Sequence, residues 1–184
     1  MNIIGITGTI GAGKGTIVNY LVHQKDFTHY SVRGFLIEEL QKRSLPINRN
    51  TMTMIANELR TFHSPSYIVD CLYQKAKENK KNAVIESIRT YGEVLSLREH
   101  ANFYLLAIDA NIEERYRRIL KRNSETDHIT FEEFKASEEK EMTNTDPNKQ
   151  NLSKCIAEAD FIFNNDKQIE DLYQNIEQVL AKIL

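Results

Sequence analysis

The chain has 184 residues, 41% of them apolar and 27% charged, with a formal net charge of −2. That balance fits a globular α/β domain of ordinary size, and without a global basic field it argues against a nucleic-acid binder. No window holds the roughly 18 apolar residues that a membrane-spanning helix needs, and the N-terminus has no basic n-region or cleavage site, so a cytoplasmic protein without membrane contact is expected.

Residues 2–7 form a β-rich run that ends in a glycine-rich turn. A helical pattern follows over 14–23, with Ile17, Val18, Tyr20 and Leu21 as its apolar positions. A second strand is expected over 29–32, then helices near 34–43, 50–62 and 65–79. Ser64 stands where an N-cap belongs, and Pro65 occupies the first helical position, where its missing N–H costs nothing. A third strand is expected over 83–88, and Thr90 and Glu93 have the spacing of a capping box that opens the next helix. Residues 103–108 (F-Y-L-L-A-I) are continuously apolar, as in a strand buried on both faces. Asn111 caps a helix over 112–122, and a second capping box, Thr130 with Glu133, starts a charged helix reaching about residue 143. Residues 144–151 read as loop, 160–163 as the last strand and 168–183 as a closing helix. Strands alternating with helices imply a parallel sheet covered on both faces. Cys71 and Cys155 stand in no metal spacing and read as reduced thiols.

The densest chemical signal is Gly8-Thr9-Ile10-Gly11-Ala12-Gly13-Lys14-Gly15-Thr16, which follows a strand and opens a helix. Glycines let such a loop turn sharply and point successive N–H groups at phosphate oxygens. The helix N-terminus adds its positive dipole end and Lys14 a full charge. Gly15 stands where the general pattern has Ser or Thr, so Thr16 is the hydroxyl available to Mg²⁺.

The Gly-Lys-Gly-Thr ending resembles adenylate kinase and its nucleoside monophosphate kinase relatives, with dephospho-CoA kinase a more distant likeness. The resemblance implies a three-layer P-loop fold with a five-stranded parallel sheet in the order 2-3-1-4-5 and ATP with Mg²⁺ as cofactors. Gly8, Gly11, Ala12, Gly13, Lys14, Gly15 and Thr16 would then hold the nucleotide, and Thr16 and Glu86 would serve the metal. Glu86 stands where the relatives have an aspartate. Arg89 matches an arginine that grips the acceptor phosphate, although it lies three positions after the acidic residue rather than four.

Residues 31–80 are too long for a plain crossover between strands, and they resemble an acceptor-binding insertion with Ser31, Arg33 and Arg60 as candidate contacts. Arg33 and Arg60 can equally be solvated helix charges. His63 and Tyr67 could also line the pocket, or simply pack. Arg115, Arg118 and Arg122 share one helix face. Of these, Arg118 and Arg122 match an R-x-x-x-R pair that contacts ATP, neutralising transferring charge or stacking on adenine. The lid-like segment 123–141 is acidic, lacks zinc-type cysteines and the usual lid arginines, and offers only Lys135 and Lys140 instead. Residues 160–166 read as strand followed by turn, and the relatives carry a similar A-D-x-x-I-x-N segment whose loop borders the adenine.

The chain therefore reads as one P-loop kinase-like domain, with core 1–30, 81–122 and 142–184, an acceptor-binding insertion over 31–80 and a lid over 123–141. The expected activity is transfer of the ATP γ-phosphoryl group to a nucleoside or deoxynucleoside monophosphate, with Lys14, Arg89, Arg118 and Arg122 as the catalytic group. The expected partner is a small-molecule nucleotide, and the chain would be a monomer or homodimer. Two alternatives stay open: a dephospho-CoA kinase-like transfer to a hydroxyl, and a nucleotide-sensing switch with no small-molecule acceptor.

Overall fold

The computed structural model describes residues 1–100, 102–124 and 128–184. Five strands, β1 (Asn2–Gly8), β2 (Thr28–Ser31), β3 (Ala83–Glu86), β4 (Asn102–Asp109) and β5 (Phe161–Asn164), form one parallel sheet. Their order is β2-β3-β1-β4-β5, as the resemblance implies. This is the α/β fold of P-loop proteins. Nine helices accompany the sheet among the described residues: α1 (Lys14–Lys25), α2 (Val32–Lys42), α3 (Arg49–Phe62), α4 (Tyr67–Asn79), α5 (Tyr91–His100), α6 (Ile112–Arg122), α7 (Phe131–Met142), α8 (Leu152–Ala157) and α9 (Ile169–Ile183). No helix among the described residues is long and apolar enough to cross a membrane.

The strand alternation divides the core in two. Ile3, Ile85 and Leu105 point to one face, where α2, α3, α4, α5 and α8 cover them. Ile4, Ile6, Val84, Leu106 and Ile108 point to the other, under α1 and α9. β1 lies between β3 and β4, with Ile6 beside Glu86 on one side and Leu106 on the other. That register sets the glycine-rich turn, Glu86 and Asp109 at the same C-terminal edge of the sheet, where open α/β sheets bind ligands.

Three local expectations need correction. Helix α4 begins at Tyr67 with Ser66 in the cap position, not at Pro65. Pro65 sits in the preceding turn, where its carbonyl accepts a 3.0 Å hydrogen bond from the Thr90 hydroxyl. Strand β3 stops at Glu86 because Ser87 takes a positive φ of 72°, and the N–H groups of Ser87 and Ile88 both converge on the Ile6 carbonyl. Helix α8 was not expected at all. It is six residues long, capped by the Asn151 side chain, and it buries Leu152 and Cys155.

The capping box of α5 forms as its spacing implies: the Thr90 hydroxyl accepts from Glu93 N–H, and Glu93 Oε2 accepts from Thr90 N–H. Glu93 does more than cap. It is fully buried, and its Oε1 accepts 2.8 Å and 3.3 Å bonds from Nη2 and Nε of the equally buried Arg60 on α3. Removing one partner of such a pair leaves an uncompensated buried charge. Glu93→Ala is therefore expected to lower unfolding free energy by about 3–5 kcal/mol. Urea unfolding checks this, and a lower midpoint with unchanged slope is the expected result.

Candidate functional site

The turn between β1 and α1 is shaped by its glycines. Gly8 and Gly13 have φ of 132° and 110°, and a Cβ on them would come within 2.0 Å of the Ile108 carbonyl oxygen and 2.4 Å of Asn165 Nδ2. Only glycine fits both places. Gly8 and the buried Ala12 lie beneath the turn, and Gly11, Gly13, Gly15 and Thr16 face the cleft. The turn is also held from outside. The Thr9 hydroxyl donates to Asp109 at 2.5 Å, and Asn165 Nδ2 donates to the Ala12 carbonyl at 2.8 Å. Arg115, buried on α6, donates to the carbonyls of Ala110 and Ile10. A glycine-rich turn packed this closely at the start of a helix is the kind of backbone site that takes a chain of phosphates.

Lys14 extends over this turn and donates to the carbonyls of Gly8 and Thr9 at 2.9 and 2.8 Å. Burial first, then the charge of Arg89, bring its pKa from 10.5 down to about 7. Glu86, at the tip of β3, pairs with His29 Nε2 at 3.0 Å. Burial pushes its carboxyl upward, but the bond and charge of His29, with Lys14 beyond, outweigh that and hold it below the usual range. Thr16 and Glu86 both line the cleft, so a hydroxyl and a carboxylate are available to a divalent cation held with phosphates.

The cleft has a volume of about 470 Å³. Arg33, Arg49, Arg60 and Arg89 line it together with Lys14 and Thr16. Arg118 and Arg122, one turn apart on α6, line it as well. Arg118 Nη2 donates to the Asn165 carbonyl at 2.8 Å, and Nε pairs with Glu114. Of the predicted acceptor residues, Arg33 is exposed, Arg60 is buried on Glu93, and Arg89 Nη1 binds Glu141 and Gln150. Ser31 is not brought to the cleft; its hydroxyl accepts from Gly34 N–H and caps α2. His63 and Tyr67 stack on each other at 3.9 Å away from the cleft, and Lys135 and Lys140 are exposed outside it. Residues 125–127 of the predicted lid lie outside the described residues.

Two cleft residues had no signal in the sequence. Arg49 opens α3, and Glu141 ends the acidic helix α7. Glu141 bridges Arg49 and Arg89 across the cleft. Burial pushes its carboxyl upward, and the two guanidiniums, Arg89 foremost, more than reverse this and hold it below the usual range. Asn165 belongs to the segment that the resemblance places beside the adenine, and its side chain contacts the turn's backbone.

The low pKa of Lys14 has a measurable consequence. Phosphates beside the ammonium favour its charged form and return the pKa toward 10.5 or above. Nucleoside triphosphate binding near about pH 8 should therefore take up close to one proton, and affinity should fall as pH rises from about 7 toward 10. Calorimetry in two buffers of different ionisation enthalpy reads the uptake. It should vanish near about pH 6, where Lys14 is already charged, and in Lys14→Met.

A family profile described as an AAA domain matches residues 4–144. A UPF0200 protein from Methanococcus vannielii is 29% identical over 188 residues, covering all of this chain and 97% of its own. A protein of known structure from Thermus thermophilus superposes with a TM-score of 0.62 at 20% identity, over 99% of this chain and 97% of its own. A shikimate kinase from Bacteroides thetaiotaomicron superposes with a TM-score of 0.59 at 15% identity, over 97% and 98%. The chain thus belongs to the AAA domain family, and its fold is the P-loop fold of the nucleoside monophosphate kinase type.

Proposed function

We propose that the protein transfers the γ-phosphoryl group of ATP, with Mg²⁺, to a nucleoside or deoxynucleoside monophosphate. The observation that carries this reading is the set of four arginines, Arg33, Arg49, Arg60 and Arg89, sharing one cleft with the phosphate-binding turn. Phosphoryl transfer needs little covalent help from the protein. It needs alignment and cations on the charge that spreads through the transition state. In this reading Lys14 and the loop amides hold the donor phosphates, and Thr16 and Glu86 serve Mg²⁺. Arg89, with Arg33 or Arg60, holds the acceptor phosphate, and Arg118 and Arg122 neutralise transferring charge. The insertion 31–80 supplies the acceptor wall and segment 123–141 the lid.

A hydroxyl acceptor, as for a shikimate kinase or a dephospho-CoA kinase, asks for a carboxylate base. Among the described residues, the carboxylates lining the cleft are Glu86 and Glu141. Both are ion-paired and held below the usual range, which makes them weak bases. Planar guanidiniums that bind two oxygens each suit a phosphate far better than a neutral hydroxyl.

A screen of nucleoside and deoxynucleoside monophosphates with ATP and Mg²⁺ should yield at least one substrate. Lys14→Ala should abolish transfer without loss of folding. Arg89→Ala should lower kcat/KM for the acceptor by about ten-fold or more, about 1.4 kcal/mol upward, with much less change in ATP affinity. Arg89→Lys should rescue poorly, since it keeps the charge and loses the fork. ATP binding with no phosphorylated monophosphate would favour a nucleotide-sensing switch instead.

A further inference from the structure

Helix α7 meets the cleft through one face, on which Phe134, Glu138 and Glu141 recur at helical spacing. Phe134 is fully buried, with the Arg115 guanidinium 5.6 Å from its ring centroid. Arg115 also binds both oxygens of Glu138. One turn on, Glu141 divides its carboxylate between two walls. Oε1 accepts from Arg49 Nη2 at 3.3 Å, and Oε2 accepts from Arg89 Nη1. Two oxygens bridging two guanidiniums is the arrangement a bound oxyanion adopts.

The donors of this cluster exceed its acceptors. Nη1 of Arg49 and Nη1 of Arg60 are buried and have no hydrogen-bond partner among the described residues, and both residues line the cleft. Arg60 as a whole is only 2% exposed, so bulk water does not satisfy it. Charge gives the same imbalance. Arg49, Arg60 and Arg89 bring three positive charges; Glu93 offsets one from its buried seat, and Glu141 offsets a second. One charge and two sets of N–H donors remain. A phosphate monoester near neutral pH carries close to two negative charges and three oxygens, one charge and one oxygen more than a carboxylate. It matches the cluster better than Glu141 does.

We propose that Glu141 is an internal competitor for the acceptor: its carboxylate occupies the seat of a phosphate monoester dianion between Arg49 and Arg89, and the acceptor expels it. Expulsion frees the last turn of α7, and the Arg115–Glu138 pair keeps the rest of the helix docked. Arg49 is then an acceptor-binding residue on the same footing as Arg89. This inference rests on the reading that the acceptor carries a phosphate.

The test uses the full chain with its phosphate turn saturated by Mg–ADP, so that added inorganic phosphate reports on the arginine cluster. By calorimetry, Glu141→Gln should bind phosphate at least about ten-fold more tightly than wild type, as expected when a competing ion pair is removed. Adding Arg49→Leu should erase the gain. Acetate should gain much less than phosphate, and an equal gain would overturn the dianion assignment. Unchanged or weaker phosphate binding in Glu141→Gln overturns the proposal. If that variant does not fold, hydrogen exchange in wild type decides. Phosphate should speed exchange of the amides of residues 139–142, and unchanged or slower exchange overturns the proposal. A gain in phosphate affinity with no monophosphate phosphorylated would sink the kinase reading and keep the seat. A phosphorylated monophosphate whose KM ignores Glu141→Gln would do the reverse.

Discussion

The Glu93 carboxylate accepts four hydrogen bonds inside the protein: two from the Arg60 guanidinium and one each from the N–H groups of Arg89 and Thr90. A buried carboxylate without partners would cost several kcal/mol. With these four it ties three pieces of chain to one point: α3, the turn after β3 and the start of α5. The side chain of Arg60 and the backbone of Arg89 cannot drift apart without breaking the cluster. This arginine-bearing wall of the cleft is therefore held together by the fold itself, which is the condition for binding energy to go into alignment rather than ordering.

The opposite wall is held by different means. Gly8 and Gly13 leave no room for side chains, so the turn is pressed against Ile108 and Asn165. Asp109 and Asn165 then grip Thr9 and Ala12 by hydrogen bonds. Both grips come from the ends of β4 and β5, on the far side of β1 from Glu86. Sheet order thus separates the two tasks: phosphate cradle toward β4, arginine wall toward β3 and its insertion. The cleft between them collects like charge. Lys14 is driven toward neutrality there by burial and by Arg89, and Glu86 and Glu141 offset only part of the excess. A polyanion entering this cleft relieves a strain that the folded chain carries on its own.

What was legible in the sequence was local. The glycine and lysine spacing named the phosphate turn because each residue type there answers a backbone constraint within nine positions. The strand order followed once that turn had placed the chain among P-loop folds. The boundary of β3 was hidden because Ser87 adopts a positive φ that serine seldom takes. Helix α8 was hidden because six residues carry too little periodicity to stand out from a loop. The capping spacing of Thr90 and Glu93 was visible, but nothing local tells that Glu93 also receives Arg60 from 33 residues away. Glu141 with Arg49, 92 residues apart, is likewise a product of tertiary folding alone.

The acid character of α7, which made it look like a poor lid, follows from where the arginines already are. Arg49 and Arg60 come from α3, Arg89 from the turn after β3, and Arg118 and Arg122 from α6, so both walls of the cleft are basic before α7 is added. Two like charges about 8 Å apart at an effective dielectric near 20 repel by about 2 kcal/mol. A lid that delivered further arginines would add several such repulsions to the ligand-free state. Helix α7 instead brings Glu141 to Arg49 and Arg89, which offsets part of that repulsion, and Glu138 to Arg115, which docks the helix. The two carboxylates then divide the work by position. Glu138 meets Arg115, which is already committed to the backbone of Ala110 and Ile10, so its pairing is structural. Glu141 meets Arg49 and Arg89, which line the cleft, so any anion that enters must contend with it.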